Sequence, residues 1–291
     1  MIAVRVSLTK MAFAVAVMLP TALRAQAAAA PADSVKYGWK EQFTGMLNLS
    51  QTYYDKWAKG GTDALTWDIN LAGNCTLDQE KFIWENSSKL RYGQTKISDL
   101  ASRKSADEWR LESIYTRKLG TLVNPFAALA GWSQFTAGYK YDDKAGTRDL
   151  TSEFFDPAYF TQTVGVGITP IPDFKERLGF QLKETFSANQ GYADDKKTTE
   201  IEDSKVEYGL SSTTEYQHTL MENILGSTKL DVFINFKGSD EIDADWANKI
   251  TAKVNKLISV NFELEMLYDK DLSEDTQTRE SLSVGIAFLS L

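Results

Sequence analysis

Sixteen ionisable side chains fall on one parity of successive alternating segments of this chain. The acids are Asp68, Glu85, Glu112, Glu207, Glu215, Asp231, Glu263 and Glu265, and the bases are Lys89, Arg91, Arg110, Arg177, Lys183, Lys229, Lys249 and Lys253. Eight of each sign leave no net charge on that face, so it lacks the one-signed wall that favours ion selectivity. Glu263 and Glu265 have the chemistry to hold a cation or to work as acid and base. The Lys-bearing segment before them makes ion pairing the first expectation. The pairs expected to line an interior are Asp68 with Arg91 and Lys249 with Glu263, accompanied by Glu85, Lys89, Glu265 and Lys253. His218, the chain's one histidine, stands near a turn, and no convincing nucleophile–base–acid triad forms around it. Asp142, Asp143, Asp149 and Glu153 share a long loop and have the oxygen chemistry of a weak Ca²⁺ site, but a solvated charged loop accounts for them more simply. Without a Cys/His cluster or a phosphate-binding Gly loop, the sequence calls for no cofactor and no catalytic residue.

The elements that must position these charges are strands. From Leu65 to Leu77 apolar or small residues alternate with polar ones, and after Asp78-Gln79-Glu80-Lys81 the pattern resumes through Tyr92. Period-two alternation means strand. Strands of soluble proteins usually run about 5–6 residues, whereas these last a dozen or more. A strand tilted across a bilayer needs about 9–11 residues. The apolar parity would then meet lipid and the charged parity the interior.

The same pattern recurs along the chain. A first strand is predicted from Trp39 to about Tyr54, and a fourth from Trp109 to Leu119. The fifth, from Phe126 to Tyr141, has conflicting parity, because Phe126 and Trp132 disagree with Leu129, Phe135 and Tyr139; a bulge near Gly131 would reconcile them. Further strands carry Thr161–Thr169, Leu178–Phe186, Val206–Tyr216, Leu230–Phe236, Trp246–Val254, Ile258–Met266 and Leu282–Phe288. The twelve strands are joined by connections that alternate short and long, as in outer-membrane barrels. An even strand count puts both termini at the short-turn, periplasmic end. A two-residue turn at Gln79-Glu80 would set Asp68 directly opposite Arg91, and a three-residue connection at 255–257 would set Lys249 opposite Glu263. Tyr53, Trp67, Tyr92, Trp109, Trp246 and Tyr268 fall near one set of strand ends and Trp84 and Tyr216 near the other, the two aromatic belts such barrels use.

The N-terminus reads as an export signal: Arg5 and Lys10, an apolar run from Met11 to Leu19, then Ala25-Gln26-Ala27. Cleavage is placed after Ala27, with residues 28–38 as a periplasmic tether and 39–291 as the barrel. Removing the leader leaves 29 basic against 40 acidic residues, a net charge of −11 that gives no general attraction to nucleic acid. No apolar run is long enough for a spanning helix, and the mean hydropathy of −0.33 suits strands that are apolar only at alternate positions. The single Cys75 excludes an intrachain disulfide and sits on the lipid-facing parity.

Several short motifs resemble an uncharacterised outer-membrane barrel family, a domain-of-unknown-function group of Bacteroidetes and Chlorobi envelopes. They are Trp57-Ala-Lys-Gly-Gly61, Lys81 to Trp84 with Asn86, Tyr92-Gly93, and Phe155-Asp-Pro-Ala-Tyr159 ahead of Gly165. The resemblance implies an envelope barrel and brings with it no catalytic residue or substrate. The chain departs from many such barrels in ending Phe288-Leu-Ser-Leu291 rather than on an aromatic residue.

The expected protein is therefore an all-β, up-and-down transmembrane barrel in a Gram-negative outer membrane, passing small solutes through a narrow lumen. The alternatives are a salt-bridged anchor whose outer loops bind a partner and, behind it, a barrel-type envelope hydrolase. The expected partners are outer-membrane lipid, small solutes, and the periplasmic chaperones and assembly machinery that any such barrel needs.

Overall fold

The computed structural model describes residues 37–55, 61–120, 122–189, 191–194, 201–237, 242–269 and 275–290. The leader, residues 28–36 of the tether, and four residues of the Trp57–Gly61 motif lie outside them, and β1 begins at Gly38, inside the span expected as tether. Fourteen strands follow one another without a helix among the described residues: β1 (Gly38–Thr52), β2 (Ala64–Asp78), β3 (Phe82–Ile97), β4 (Arg103–Arg117), β5 (Val123–Ser133), β6 (Gly138–Asp142), β7 (Thr147–Ser152), β8 (Ala158–Ile171), β9 (Phe174–Phe186), β10 (Ser204–Met221), β11 (Ile224–Asn235), β12 (Ile242–Lys253), β13 (Ile258–Tyr268) and β14 (Gln277–Ser290). Twelve of them close into one antiparallel barrel, each beside its sequence neighbour, with β14 returning to β1. The strands β6 and β7 form a separate hairpin between β5 and β8. Closure removes every free strand edge, the condition for placing a sheet in lipid.

The wall is inverted relative to a soluble core. Among the described residues only Ile114, Phe126, Ala158, Ala193 and Phe233 are buried hydrophobics, against fifteen buried polar or charged residues. Outside stand Leu111, Leu129, Val164, Phe180, Leu210, Ile250 and Leu282, all on the outward parity and all exposed. A continuous apolar exterior of this kind is intolerable in water and is what lipid requires. Rings pair near the strand ends, Trp39 with Trp84 at the short-turn end and Trp67 with Tyr92 at the long-loop end, with centroids 6.1 and 6.2 Å apart.

The fifth strand differs from expectation. Its register against β4 and β8 is unbroken from Phe126 to Trp132, so no bulge occurs at Gly131. The strand ends at Ser133, and Tyr139 belongs to the β6–β7 hairpin. Phe126 and Trp132 face inward, and Leu129, 60% exposed, faces lipid. The parity conflict within β5 comes from two aromatic residues, Phe126 and Trp132, that face the lumen, and Tyr139 lies in another element. The 153–157 segment is not helical: Glu153 and Asp156 form an isolated bridge, Phe155 has φ 61°, and the Asp156–Pro157 peptide is cis.

That outer segment is anchored by buried carboxylates. Asp107 accepts hydrogen bonds from the Phe135 and Thr136 backbone N–H groups at 2.8 Å and from Thr136 Oγ1 at 2.7 Å. Asp156 accepts from Ser187 Oγ at 2.7 Å and Asn189 N at 2.8 Å, tying this loop to the next. Asp142 caps the hairpin turn through Lys144 N and Ala145 N, whereas Asp143 turns to Arg103. Those carboxylates diverge, and among the described residues no group of acids, His or Cys is placed to hold a metal.

Candidate functional site: a charge-laced lumen

Inward side chains leave two cavities on the barrel axis. One of about 580 Å³ lies toward the long loops and is lined by Gln134, Tyr159, Lys183, Asp243 and Asp269 among others. The other, about 840 Å³, lies toward the short turns and is lined by Asn74, Glu85, Asp173, Lys175 and Tyr216 among others. Both cavities are lined by Arg91, Glu108, Arg110, Glu112, Arg177, Lys229, Asp231, Asp245, Glu265 and Arg279, which form the waist between them.

Arg91 is the centre of one network. Its Nε donates to Asp68 Oδ1 at 2.9 Å, its Nη2 to Asp68 Oδ2 at 3.3 Å and its Nη1 to Glu263 Oε2 at 3.0 Å. Asn48 Nδ2 donates to Asp68 at 3.1 Å, and Lys249 Nζ donates to Glu263 Oε1 at 2.9 Å. The predicted opposition of Asp68 and Arg91 was two residues out of register. The turn is centred one residue later, on Glu80-Lys81, with Gln79 N bonded to Phe82 O, so Asp68 stands opposite Gly93 and Arg91 opposite Asn70. The contact forms on the diagonal because Gly93 has no side chain: a Cβ there would lie 2.5 Å from Asp68 Cβ. Lys249 and Glu263 do stand directly opposite.

The other predicted residues do not pair with one another. Glu85 accepts from Lys175 at 2.8 Å, Lys89 donates to Glu108 at 2.6 Å, and Glu265 binds Arg279 at 2.6 Å. Lys253 is exposed at the short-turn end, opposite Ser259. Further pairs join Arg177 to Glu215 at 2.7 Å and Lys183 to Asp243 at 2.6 Å, with Asp269 also 3.6 Å from Lys183. Trp132 and Tyr159 stack at 5.2 Å, and the Arg110 guanidinium sits 4.6 Å from the Trp132 ring centroid.

Sequence reasoning missed Glu108, Trp132, Lys175, Asp243, Asp245, Asp269 and Arg279. Four had a plain signal: Glu108 shares parity with Arg110, Lys175 with Arg177, and Asp243 and Asp245 with Lys249. They were lost because the strands were started too far inside their true ends. His218 has an orienting acid, its Nδ1 lying 2.7 Å from Asp173 Oδ2 at the short-turn end. The ring is half exposed and stacks on Tyr216, and among the described residues no hydroxyl is hydrogen-bonded to it.

Comparison with known proteins adds to the family reading. Residues 49–139 match the family described as Protein of unknown function (DUF3078), and residues 161–288 match Protein of unknown function, DUF481. The resemblance to uncharacterised families thus holds over two separate stretches, with the Phe155–Tyr159 motif between them. None of the curated proteins compared with the chain matches it. Solved structures similar to it include the translocator domain of the autotransporter NalP from Neisseria meningitidis, at 10% identity over 88% of this chain and 90% of that one, with a TM-score of 0.39. An outer membrane channel from Pseudomonas putida F1 is 9% identical over 89% of this chain and 98% of its own, with a TM-score of 0.41. The NanC porin is 7% identical over 84% and 99%, also at 0.41. These are likenesses of one barrel to another, and nothing about cargo is carried over from them.

Proposed function

We propose that this barrel lies in the outer membrane with its short turns in the periplasm and its long loops outside, and that it is a narrow pore for small hydrophilic solutes. The observation that carries the reading is the pair of polar cavities, about 580 and 840 Å³, that meet at one shared waist on the barrel axis. A barrel serving only as an anchor gains nothing by keeping such space open among charges that cost several kcal/mol each to dehydrate. The ion pairs set a ceiling on solute size, because three of them run across the lumen rather than along the wall. Arg91 on β3 reaches Glu263 on β13, Lys175 on β9 reaches Glu85 on β3, and Lys183 on β9 reaches Asp243 on β12.

The test is single-channel conductance of the folded protein in a planar bilayer. Steady steps proportional to salt concentration are expected. Silence from protein shown to be folded by heat-modifiable gel migration would overturn the pore and leave the anchor. One observation favours that second reading, the β6–β7 hairpin pinned by Asp107 and Asp156 as an ordered outer surface. Under it, deleting residues 138–152 would abolish partner binding.

A further inference from the structure

The waist is balanced by formal count, with five bases and five acids, but not by pairing. Every waist base has a carboxylate of its own. Arg91 holds Asp68 and Glu263, Arg110 holds Glu108 at 3.2 Å, Arg177 holds Glu215, Lys229 holds Asp231 at 3.1 Å and Arg279 holds Glu265. Asp68, Glu263 and Glu215 are not among the ten residues of the waist, and neither are Lys89 and Lys249, which bind Glu108 and Glu263 in turn; these outside pairs bring three acids and two bases, one more acid than bases. Two waist acids are left over. Glu112 and Asp245 receive neither a hydrogen bond nor an ion pair within 4 Å from any described residue, and the Oδ1 atom of Asp245 is covered by protein without a donor; Arg177 and Lys229 act on Glu112, and Arg110 and Lys229 on Asp245, only at longer range. Glu112 is on β4 and Asp245 on β12, six strands apart in either direction round a twelve-stranded barrel. The two carboxylates therefore stand on opposite walls of the lumen, at the level where the two cavities meet.

We propose that Glu112 and Asp245 make the waist cation-selective and that the solutes it favours are small organic cations, amines or guanidinium compounds; this rests on the pore reading. Fixed charge at a constriction governs which sign of ion enters, because charges between low-dielectric walls are poorly screened. The arrangement suits an organic cation better than a bound metal ion. A Ca²⁺ ion gathers six to eight oxygens about 2.3–2.6 Å away, and these two carboxylates stand on opposite walls. An ammonium or guanidinium donates hydrogen bonds in several directions and can pass from one carboxylate to the other.

The test is the reversal potential of the folded protein in a planar bilayer, first under a KCl gradient and then with ethylammonium or methylguanidinium chloride on one side. Wild type is expected to reverse on the cation side with all three salts. The E112Q/D245N double variant, which alters two charges and breaks no pair, is expected to reverse near zero, with each single variant between. Lys253→Gln, at the short-turn end, is expected to leave the wild-type value unchanged. Wild-type reversal at zero or on the anion side, or a double variant that stays cation-selective, would overturn the proposal. Should the double variant not fold, the single variants carry the same test. Should wild type be folded but silent, the pore reading fails, and tryptophan fluorescence titrated with ethylammonium chloride decides the charge reading separately. A saturable change in wild type that is absent from E112Q and D245N would sustain it, and no saturable change would sink it.

Discussion

At the scale of single residues, Arg91 and Gly93 bear the most weight in the lumen. Arg91 and Asp68 each have side chains only 9% exposed, so neither charge is much relieved by water. Removing one partner of a buried pair leaves the other charge uncompensated, at a cost of about 3–5 kcal/mol. Arg91→Met is accordingly expected to lower the unfolding free energy of the barrel in lipid vesicles, read from a urea titration, by about 3–5 kcal/mol, and an unchanged free energy would show that Asn48 alone satisfies Asp68. Gly93→Ala tests the same network from the backbone side. The added Cβ meets Asp68 Cβ at 2.5 Å and the Trp67 carbonyl oxygen at 2.6 Å. Overpacking of this kind typically costs about 1–3 kcal/mol. In an Asp68→Gly background the Cβ contact is gone, so the penalty of Gly93→Ala is expected to shrink in a double-mutant cycle.

At the scale of elements, the long insertion between β5 and β8 is held at its two feet by Asp107 and Asp156, with Phe155 stacked on Trp109. Asp107→Ala withdraws the acceptor for the two backbone N–H groups of Phe135 and Thr136. Limited proteolysis is expected to cut this variant in the 143–146 turn faster than wild type, while heat-modifiable migration of the barrel is unchanged. Acid should loosen the hairpin by a second route. The hydrogen bond from Arg103 holds the Asp143 carboxyl below the ordinary carboxylate range. A carboxylate whose folded pKa is depressed contributes stability that is present above its unfolded value and is lost as pH falls through the folded one. Pepsin cleavage of the hairpin should therefore accelerate as pH drops below about 4, where carboxylates ordinarily titrate. The Arg103→Gln variant, having lost the interaction already, should show a flatter pH response.

At the scale of the whole molecule, the inverted burial is the property that makes this a membrane protein. Leu129 on β5 points away from the lumen at mid-strand and is 60% exposed. A lysine at the bilayer midplane of such a barrel costs about 2–4 kcal/mol, falling toward zero near the interfaces. Leu129→Lys is expected to lower stability in vesicles by an amount in that range. In a barrel surrounded by water the same change would be neutral or favourable, so an unaffected variant would contradict the transmembrane reading.

Alternation alone determined the sheet, the twelve barrel strands, the charged inner face and the closed barrel, because strand geometry commits each residue to a face and the sheet edges must be satisfied in lipid; the β6–β7 hairpin was not legible. Lys249 and Glu263 were legible as partners because one tight connection fixes their register. Asp68 and Arg91 were legible as neighbours but not in their register, since moving the turn along by one residue shifts the sum of paired positions by two and leaves every side chain on the same face. Strand ends were the weak point, and Asp243 and Asp245 were missed with them. What only the tertiary structure decided is which charges meet across the lumen. Arg91 and Glu263 are 172 residues apart, and Lys175 and Glu85 are 90 apart. Neither pair belongs to neighbouring strands, and only the curvature of a closed ring brings their side chains within reach. The same ring closure leaves Glu112 on the wall opposite Asp245, because local pairing rules reach one strand to either side and the lumen is bounded by all twelve.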